Sequence, residues 1–330
     1  MDLYPLKFYE IYKPKIWGGR KIEKVLGKRL PEGDIGESWE ISDHFDDVSV
    51  VRNGALEGRS LRELWRSDPA GVLGEDIAPR DGREFPLLVK FIDAQEWLSV
   101  QTHPDEEYAR KSDPSGESGK NEAWYIVAAE PGAQLVVGLT EGTTRDEFKN
   151  ALDEGDIAGC LNYVDVSAGD VVRIEAGTVH AVGPGILISE IQQTSDATYR
   201  VWDWGRVGSD GKPRPLHIDR ALDVIRFGSP PVGTVEAETT QEGAVGRAVL
   251  DRSRFFVIEK LSGETFEVER IDGRFQILIC LEGSGGIVSE GERYSFMRGD
   301  TVLLPAALGA VRVEGEGRME VLRTFIPGDA

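Results

Sequence analysis

At 330 residues the chain is too long for one small core and suits two or three packed units. Its 40% hydrophobic content is ordinary for a globular protein, and no run of 18 apolar residues is present to span a membrane as a helix. A net charge of −20 with no basic stripe argues against nucleic acid as a partner, and an anionic substrate would need Lys and Arg gathered locally against the overall field.

The opening "MDLYPLKFYEIYKPKIWGG" lacks a basic segment followed by an apolar run, so no signal peptide is expected. Cys160 and Cys280 stand far apart in apolar surroundings and read as reduced core residues of a cytoplasmic protein. In "SLRELWRSDPAGVLG" (60–74), apolar Leu61, Leu64 and Trp65 predict a helix, with Ser60 capping it and Glu63 at its third position. Strand runs follow in "PLLVKFID" (86–93), "AWYIVAAE" (123–130) and "AQLVVGL" (133–139). A second helix is expected within 143–161, from a Thr or Asp start through Phe148, Leu152, Ile157 and Leu161. Strands resume at "GDVVRIEAG" (169–177) and "GILISEIQ" (185–192), and a third helix begins near His217.

Residues 228–240 combine Pro, Gly, Thr and Glu with little apolar content and mark a boundary. Beyond it only strand-like runs occur. Short strands between turn signals indicate a mainly β sandwich or barrel, divided into units 1–232 and 240–330. An internal echo crosses the boundary: "AGDVVRIEAGTVHAV" (168–182) aligns without gaps on "RGDTVLLPAALGAVR" (298–312), within "RGDTVLLPAALGAVRV" (298–313). His180 falls on Ala310 in that alignment, so only the first unit can use this position for a metal.

There are four histidines. His44, in the polar "ISDHFDD", reads as solvated, and His217 as structural at a helix start. Gln101 and His103 are two apart at the end of a strand run, so both side chains share one face. His180 follows a Gly-Asp hairpin, and Glu122 opens a strand in "GKNEAWYIV". Two imidazoles, a carboxylate and an amide oxygen would suit Zn²⁺ or a similar divalent ion. The stretch "ISEIQQTSDATYRVWDWGR" (188–206) is dense in polar residues, and composition alone leaves it either functional or a salt-bridged surface hairpin.

Taken together, "FPLLVKFIDAQEWLSVQTHPDEEYA", "GKNEAWYIV", "AGTVHAVGPGILISEIQQTSDATYR" and "GKPRPLHIDRALDVI" resemble the type I mannose-6-phosphate isomerases, in their short bacterial form. The likeness spans roughly residues 10–230, with "PKIWGGRKI" and "GESWEIS" in the same style; the C-terminal part adds only fold-level support. It implies a cupin-type jelly roll with a few helices, holding one zinc ion per chain, followed by a smaller metal-free cupin-like β domain. It also implies interconversion of mannose 6-phosphate and fructose 6-phosphate. The family's metal ligands fall on Gln101, His103, Glu122 and His180, its arginine on Arg200 and its acidic residue on Asp196. Lys120 and Ser99 also match, whereas Ala176 replaces the usual proline before G-T-x-H, which should cost rigidity and no ligand.

Isomerisation through a cis-enediolate needs a base to move a proton between C1 and C2. Lys120, Asp196 and Glu190 are the candidates, with Asp196 and Arg200 assisting ring opening and Lys120 near the proton transfer. Ser99 and Arg206 are expected to bind phosphate, Lys212 less so. Alternatives are an isomerase of another sugar, phosphorylated or free, and a non-enzymatic metal-dependent sugar-phosphate binder. A cupin dioxygenase fits less well, because it would want a histidine-rich triad. A monomer or homodimer is expected. The charged run after Pro104 reads as an exposed helix.

Overall fold

The computed structural model describes residues 1–77, 84–112, 115–208, 211–242, 244–271 and 273–328, the side chains of 241–242 excepted. Two antiparallel sheets face each other in the N-terminal part. The larger has six strands in the spatial order Val171–Ile174, Glu122–Ala129, Ile186–Gln193, Leu87–Ala94, Ile35–Ile41 and Ile11–Gly19. The smaller orders Leu161–Asp165, Gln134–Leu139, His180–Val182, Val100–Thr102 and Tyr199–Trp202. Between them lies a core of Ile92, Trp124, Ile126, Leu135, Val137 and Ile188. This is the expected jelly roll.

The central strands Leu87–Ala94 and Ile186–Gln193 of the six-stranded sheet are buried on both faces, which is why they read as nearly continuous apolar runs. Ile92, Trp124 and Ile188 point into the jelly roll, while Val89, Phe91, Tyr125, Leu187 and Ile191 point outward. The outward set packs on Phe256, Ile258, Ile277 and Leu322 of the C-terminal sheet and on Leu61, Leu64 and Trp65. One apolar cluster therefore joins the two parts and fixes the sheet that carries half of the site. A one-residue slip of Leu87–Ala94 would turn Lys90 into this cluster, at a desolvation cost that specifies the register.

Every element after residue 237 is a strand among the described residues, from Glu238–Glu242 to Val311–Phe325. With Leu6–Lys7 these eight strands form a nine-stranded sheet around a second core that includes Phe266, Leu278, Phe296 and Val313. Strand Leu6–Lys7 joins this sheet by pairing with Thr301–Leu304. The echo is structural: each Gly-Asp turn leads into a four-residue strand, Val171–Ile174 and Thr301–Leu304.

Two helices are shorter than the sequence implied. Leu61–Ser67 starts with the expected capping box of Ser60 and Glu63, but a second turn, Pro69–Val72, is separated from it at Asp68. Pro69 cannot donate to the preceding turn, and the Asp68 side chain caps the new one instead. Arg145–Glu154, capped by Thr144, stops at Gly155 in the left-handed conformation, and Leu161 opens a strand. Helix Glu106–Ser112 follows Pro104 as expected.

Candidate active site and metal centre

Gln101, His180 and Arg200 are direct register partners across three strands of the smaller sheet. Glu122 faces them from the larger sheet, and His103 lies just beyond strand Val100–Thr102. One nitrogen from each of His103 and His180 and one oxygen of Glu122 all lie within 4.8 Å of one another. Nε2 of each histidine is 3.5 Å from a Glu122 carboxylate oxygen, and Gln101 Nε2 is 3.3 Å from His180 Nε2. A half-turn of that amide would present Oε1 to the same point.

The surroundings aim these atoms inward. His103 Nδ1 donates to the Ala197 carbonyl at 2.6 Å and His180 Nδ1 to the Thr178 carbonyl at 2.9 Å. Each Nε2 is thereby left as a lone pair facing Glu122. His103 Nε2 and Glu122 Oε1 are buried without a hydrogen-bond partner, which is costly unless something else occupies the point between them. Burial, then the neighbouring His103, pushes His180 down to about 3, and burial also lowers His103. Burial alone would raise Glu122, but the Lys120 ammonium, 2.9 Å from Oε2, holds it well below the usual carboxylate range. Neutral imidazoles and an ionised carboxylate are the protonation states a divalent cation needs, so this donor set fits one.

Above this point is a cavity of about 290 Å³. Lys15, Lys90, Lys120, Arg200 and Arg214 line it against Glu37, Glu190 and Asp196, so cations outnumber these carboxylates in a chain of net charge −20. Lys90 and Glu190 are register partners in a row that runs Trp39, Lys90, Glu190, Trp124 across four strands. Lys90 Nζ is 3.6 Å from Glu190, 4.0 Å from Glu37 and 3.5 Å from Asp196, and it sits over the Trp39 ring. These carboxylates overcome burial and raise Lys90 above the ordinary lysine value. Lys120 is raised in the same way by Glu122, Glu190 and Asp196, so both lysines are cations. Burial, and secondly the Glu122 charge, raises Glu190 to about 6, whereas Lys90 and Lys120 outweigh burial at Asp196 and lower it to about 2.

Nine of the ten residues singled out from sequence converge here: Ser99, Gln101, Lys120, His180, Glu190, Asp196 and Arg200 line the cavity, with His103 and Glu122 beneath. Arg206 does not line it. Its guanidinium donates to the Trp97 carbonyl and to Asp203. Arg214, held by two bonds to the same Asp203, lines the cavity instead. Sequence reasoning also missed Lys15, Glu37 and Lys90. A lone lysine inside "LLVKFI" was the available signal, because a buried charge needs partners. Lys15 reaches the site from an edge strand with irregular pairing that crosses Gly36, where a Cβ would fall 2.6 Å from Lys15 Cβ.

Two histidine readings differ in outcome. His44 is buried, not solvated: its ring meets Phe45 at a tilt and Trp39 edge-on, and Nε2 lies 2.9 Å from Glu117. His217 does start helix Ile218–Val224 and exchanges backbone and ring hydrogen bonds with Arg200. Cys280 is buried and Cys160 only partly so; both are free.

Fold and site together define a bicupin protein with a buried His-Glu-His cluster that could hold a metal ion under a cation-rich pocket. Residues 6–150 match the family described as phosphomannose isomerase type I, catalytic domain, and residues 251–324 match the mannose-6-phosphate isomerase cupin domain. The chain is 36% identical to the mannose-6-phosphate isomerase ManA of Bacillus subtilis over 318 residues, covering 96% of this chain and 97% of that one. It is 36% identical to the mannose-6-phosphate isomerase of Streptococcus mutans over 312 residues, covering 94% and 96%. The crystal structure of the Bacillus subtilis mannose 6-phosphate isomerase superposes with a TM-score of 0.89 at 32% identity, over 98% of this chain and 99% of that one. The chain belongs to the type I mannose-6-phosphate isomerase family.

Proposed function

We propose that the chain interconverts mannose 6-phosphate and fructose 6-phosphate through a cis-enediolate, with one zinc ion held by Gln101, His103, Glu122 and His180. The observation that carries this reading is the convergence of buried, unpartnered His103 and Glu122 atoms beneath a pocket lined by five Lys and Arg side chains. The bound cation would supply Lewis acidity to the sugar oxygens and a fixed point for their orientation.

The chain's own groups divide the remaining work. Glu190 is the proposed base: Oε1 is buried without a hydrogen-bond partner, and Trp124 steadies Oε2 at 2.9 Å. A carboxyl titrating near 6 can take the proton from C2 and return it to C1 near neutral pH, while a hydroxyl proton passes from O2 to O1. A cation at the ligand cluster would offset the Glu122 charge and bring Glu190 part of the way back towards its ordinary value. Lys120 and Lys90, both cationic, stabilise the enediolate oxygens. Asp196, ionised and half-exposed at the mouth, assists ring opening together with Arg200. Arg200, Arg214 and Ser99 receive the phosphate, with Lys15 on the opposite edge strand. Arg206 braces Asp203, which in turn holds Arg214.

Two units, 1–232 and 240–330, with a metal only in the first, complete the proposal; segment 225–237, which runs across the end of the first unit, carries no helix or strand. No helix among the described residues is long and apolar enough to cross a membrane, and the free cysteines favour a cytoplasmic setting. Turnover of mannose 6-phosphate by the purified chain, before and after chelation and zinc restoration, tests the reading. Turnover untouched by complete metal removal would refute the metal's part in it.

A further inference from the structure

We propose that Glu117, clamped by His44, is a positioning residue that sets the Ser195–Ala197 turn for both halves of the site. This rests on the metal-dependent reading above. Glu117 lies outside the cavity lining, yet its side chain is only 10% exposed and each carboxylate oxygen has its own task. Oε1 is 2.9 Å from His44 Nε2. Oε2 accepts the Asp196 backbone N–H at 2.9 Å and lies 3.1 Å from Ser195 Oγ.

The turn so held has two outputs. Asp196 presents its carboxylate 3.5 Å from Lys90 Nζ, and the Ala197 carbonyl receives His103 Nδ1 at 2.6 Å. Ser195 Oγ ties the outputs together, 2.8 Å from the Ser118 carbonyl and accepting from the Ala197 N–H at 3.2 Å. One buried carboxylate therefore controls the placement of an active-site acid and the orientation of a metal-ligand imidazole.

The other end of the clamp is rigid. His44 follows Asp43, a fully buried residue whose carboxylate takes bonds from Arg62, Trp65 Nε1 and the Phe85 N–H. Phe45 next to it is held at φ 41°, and its carbonyl accepts from Arg62 at 2.8 Å. A bulky residue kept at positive φ marks a segment whose surroundings over-determine it. His44 thus ties the turn to helix Leu61–Ser67 and the joint core rather than to another loop.

The test compares Glu117→Ala, Glu117→Gln and Ser195→Ala with the wild-type holoenzyme, reading zinc loss to a chelator together with kcat and KM. The glutamine amide oxygen can still accept from the Asp196 N–H, and its amide can donate to the other His44 tautomer, so it keeps the turn in place. The expected result is zinc loss about 10-fold faster in Glu117→Ala, with kcat lowered and KM changed less than about threefold. Glu117→Gln should stay near wild type and Ser195→Ala should fall between. Wild-type zinc retention and kcat in both alanine variants would overturn the proposal, as would a glutamine variant as impaired as the alanine one. Should Glu117→Ala not fold, an unaltered Ser195→Ala overturns it alone. A wild-type protein that holds no zinc would instead refute the functional reading.

Discussion

Replacing Lys90 with methionine removes the charge at the centre of the carboxylate cluster while keeping most of the volume. Lys90 is 3% exposed and lies 3.6 Å from Glu190, 4.0 Å from Glu37 and 3.5 Å from Asp196. Breaking a buried ion pair from one side costs about 3–5 kcal/mol when the remaining charge has no other partner. Here the three partners fare differently. Glu37 keeps Lys15 at 3.0 Å and Trp39 Nε1 at 2.6 Å, and Asp196 is 45% exposed, so neither is stranded. Glu190 keeps only Trp124 as a hydrogen-bond donor, but it starts near 6 and can escape by taking up a proton. Neutralising it at pH 7 costs only about 1–2 kcal/mol, so the expected destabilisation is about 2–3 kcal/mol, below that of a pair that cannot protonate.

The pH dependence has a definite sign. Glu190 binds its proton more tightly in the native state than in the unfolded chain, so stability falls as pH rises from the ordinary carboxylate value through the native one. Without Lys90 the native value moves higher still, and the loss extends to higher pH. Thermal unfolding of the two proteins should therefore differ by roughly 5–10 °C at pH 8 and by clearly less at pH 5.5, at about 2–4 °C per kcal/mol. A difference under 2 °C at pH 8, or one independent of pH, would refute the reasoning that Lys90 is held by Glu190.

Glu190→Gln should lower kcat by about 10²–10⁴-fold with a small change in KM. In the metal-loaded wild type, turnover should decline as pH falls through the Glu190 value, which the cation brings below the metal-free value near 6, and the residual activity of the variant should lack that limb in a pH–rate profile. Arg214→Leu should raise KM for mannose 6-phosphate about 10- to 100-fold, the loss of a charge-assisted bond to phosphate, and change KM for free mannose little. Equal effects on both sugars would remove Arg214 from the phosphate site.

The sequence carried the site unevenly, and the reasons are physical. Gln101 and His103 were readable because a period of two puts them on one face, and the register with His180 and Arg200 delivers the rest. The Ser60 and Thr144 caps were readable because capping is local. His44 reads as solvated because its polar partner, Glu117, is 73 residues away, and no local pattern encodes that contact. Arg206 and Arg214 flank the same Asp203, and only the fold decides which guanidinium faces the cavity. Lys90 was passed over as part of an apolar run, although a charge within a strand buried on both faces demands partners. Those partners come from three other segments, Glu37, Glu190 and Asp196.

In the proposed function, His103, Glu122 and His180 hold the cation on which turnover depends. Metal content and mannose 6-phosphate turnover, measured on the same preparations of wild type and His103→Ala, test it most directly. The expected result is one zinc per wild-type chain, turnover lost on chelation and regained with zinc, and both metal and turnover lost in His103→Ala. Full turnover in metal-free protein, or in His103→Ala, would contradict it.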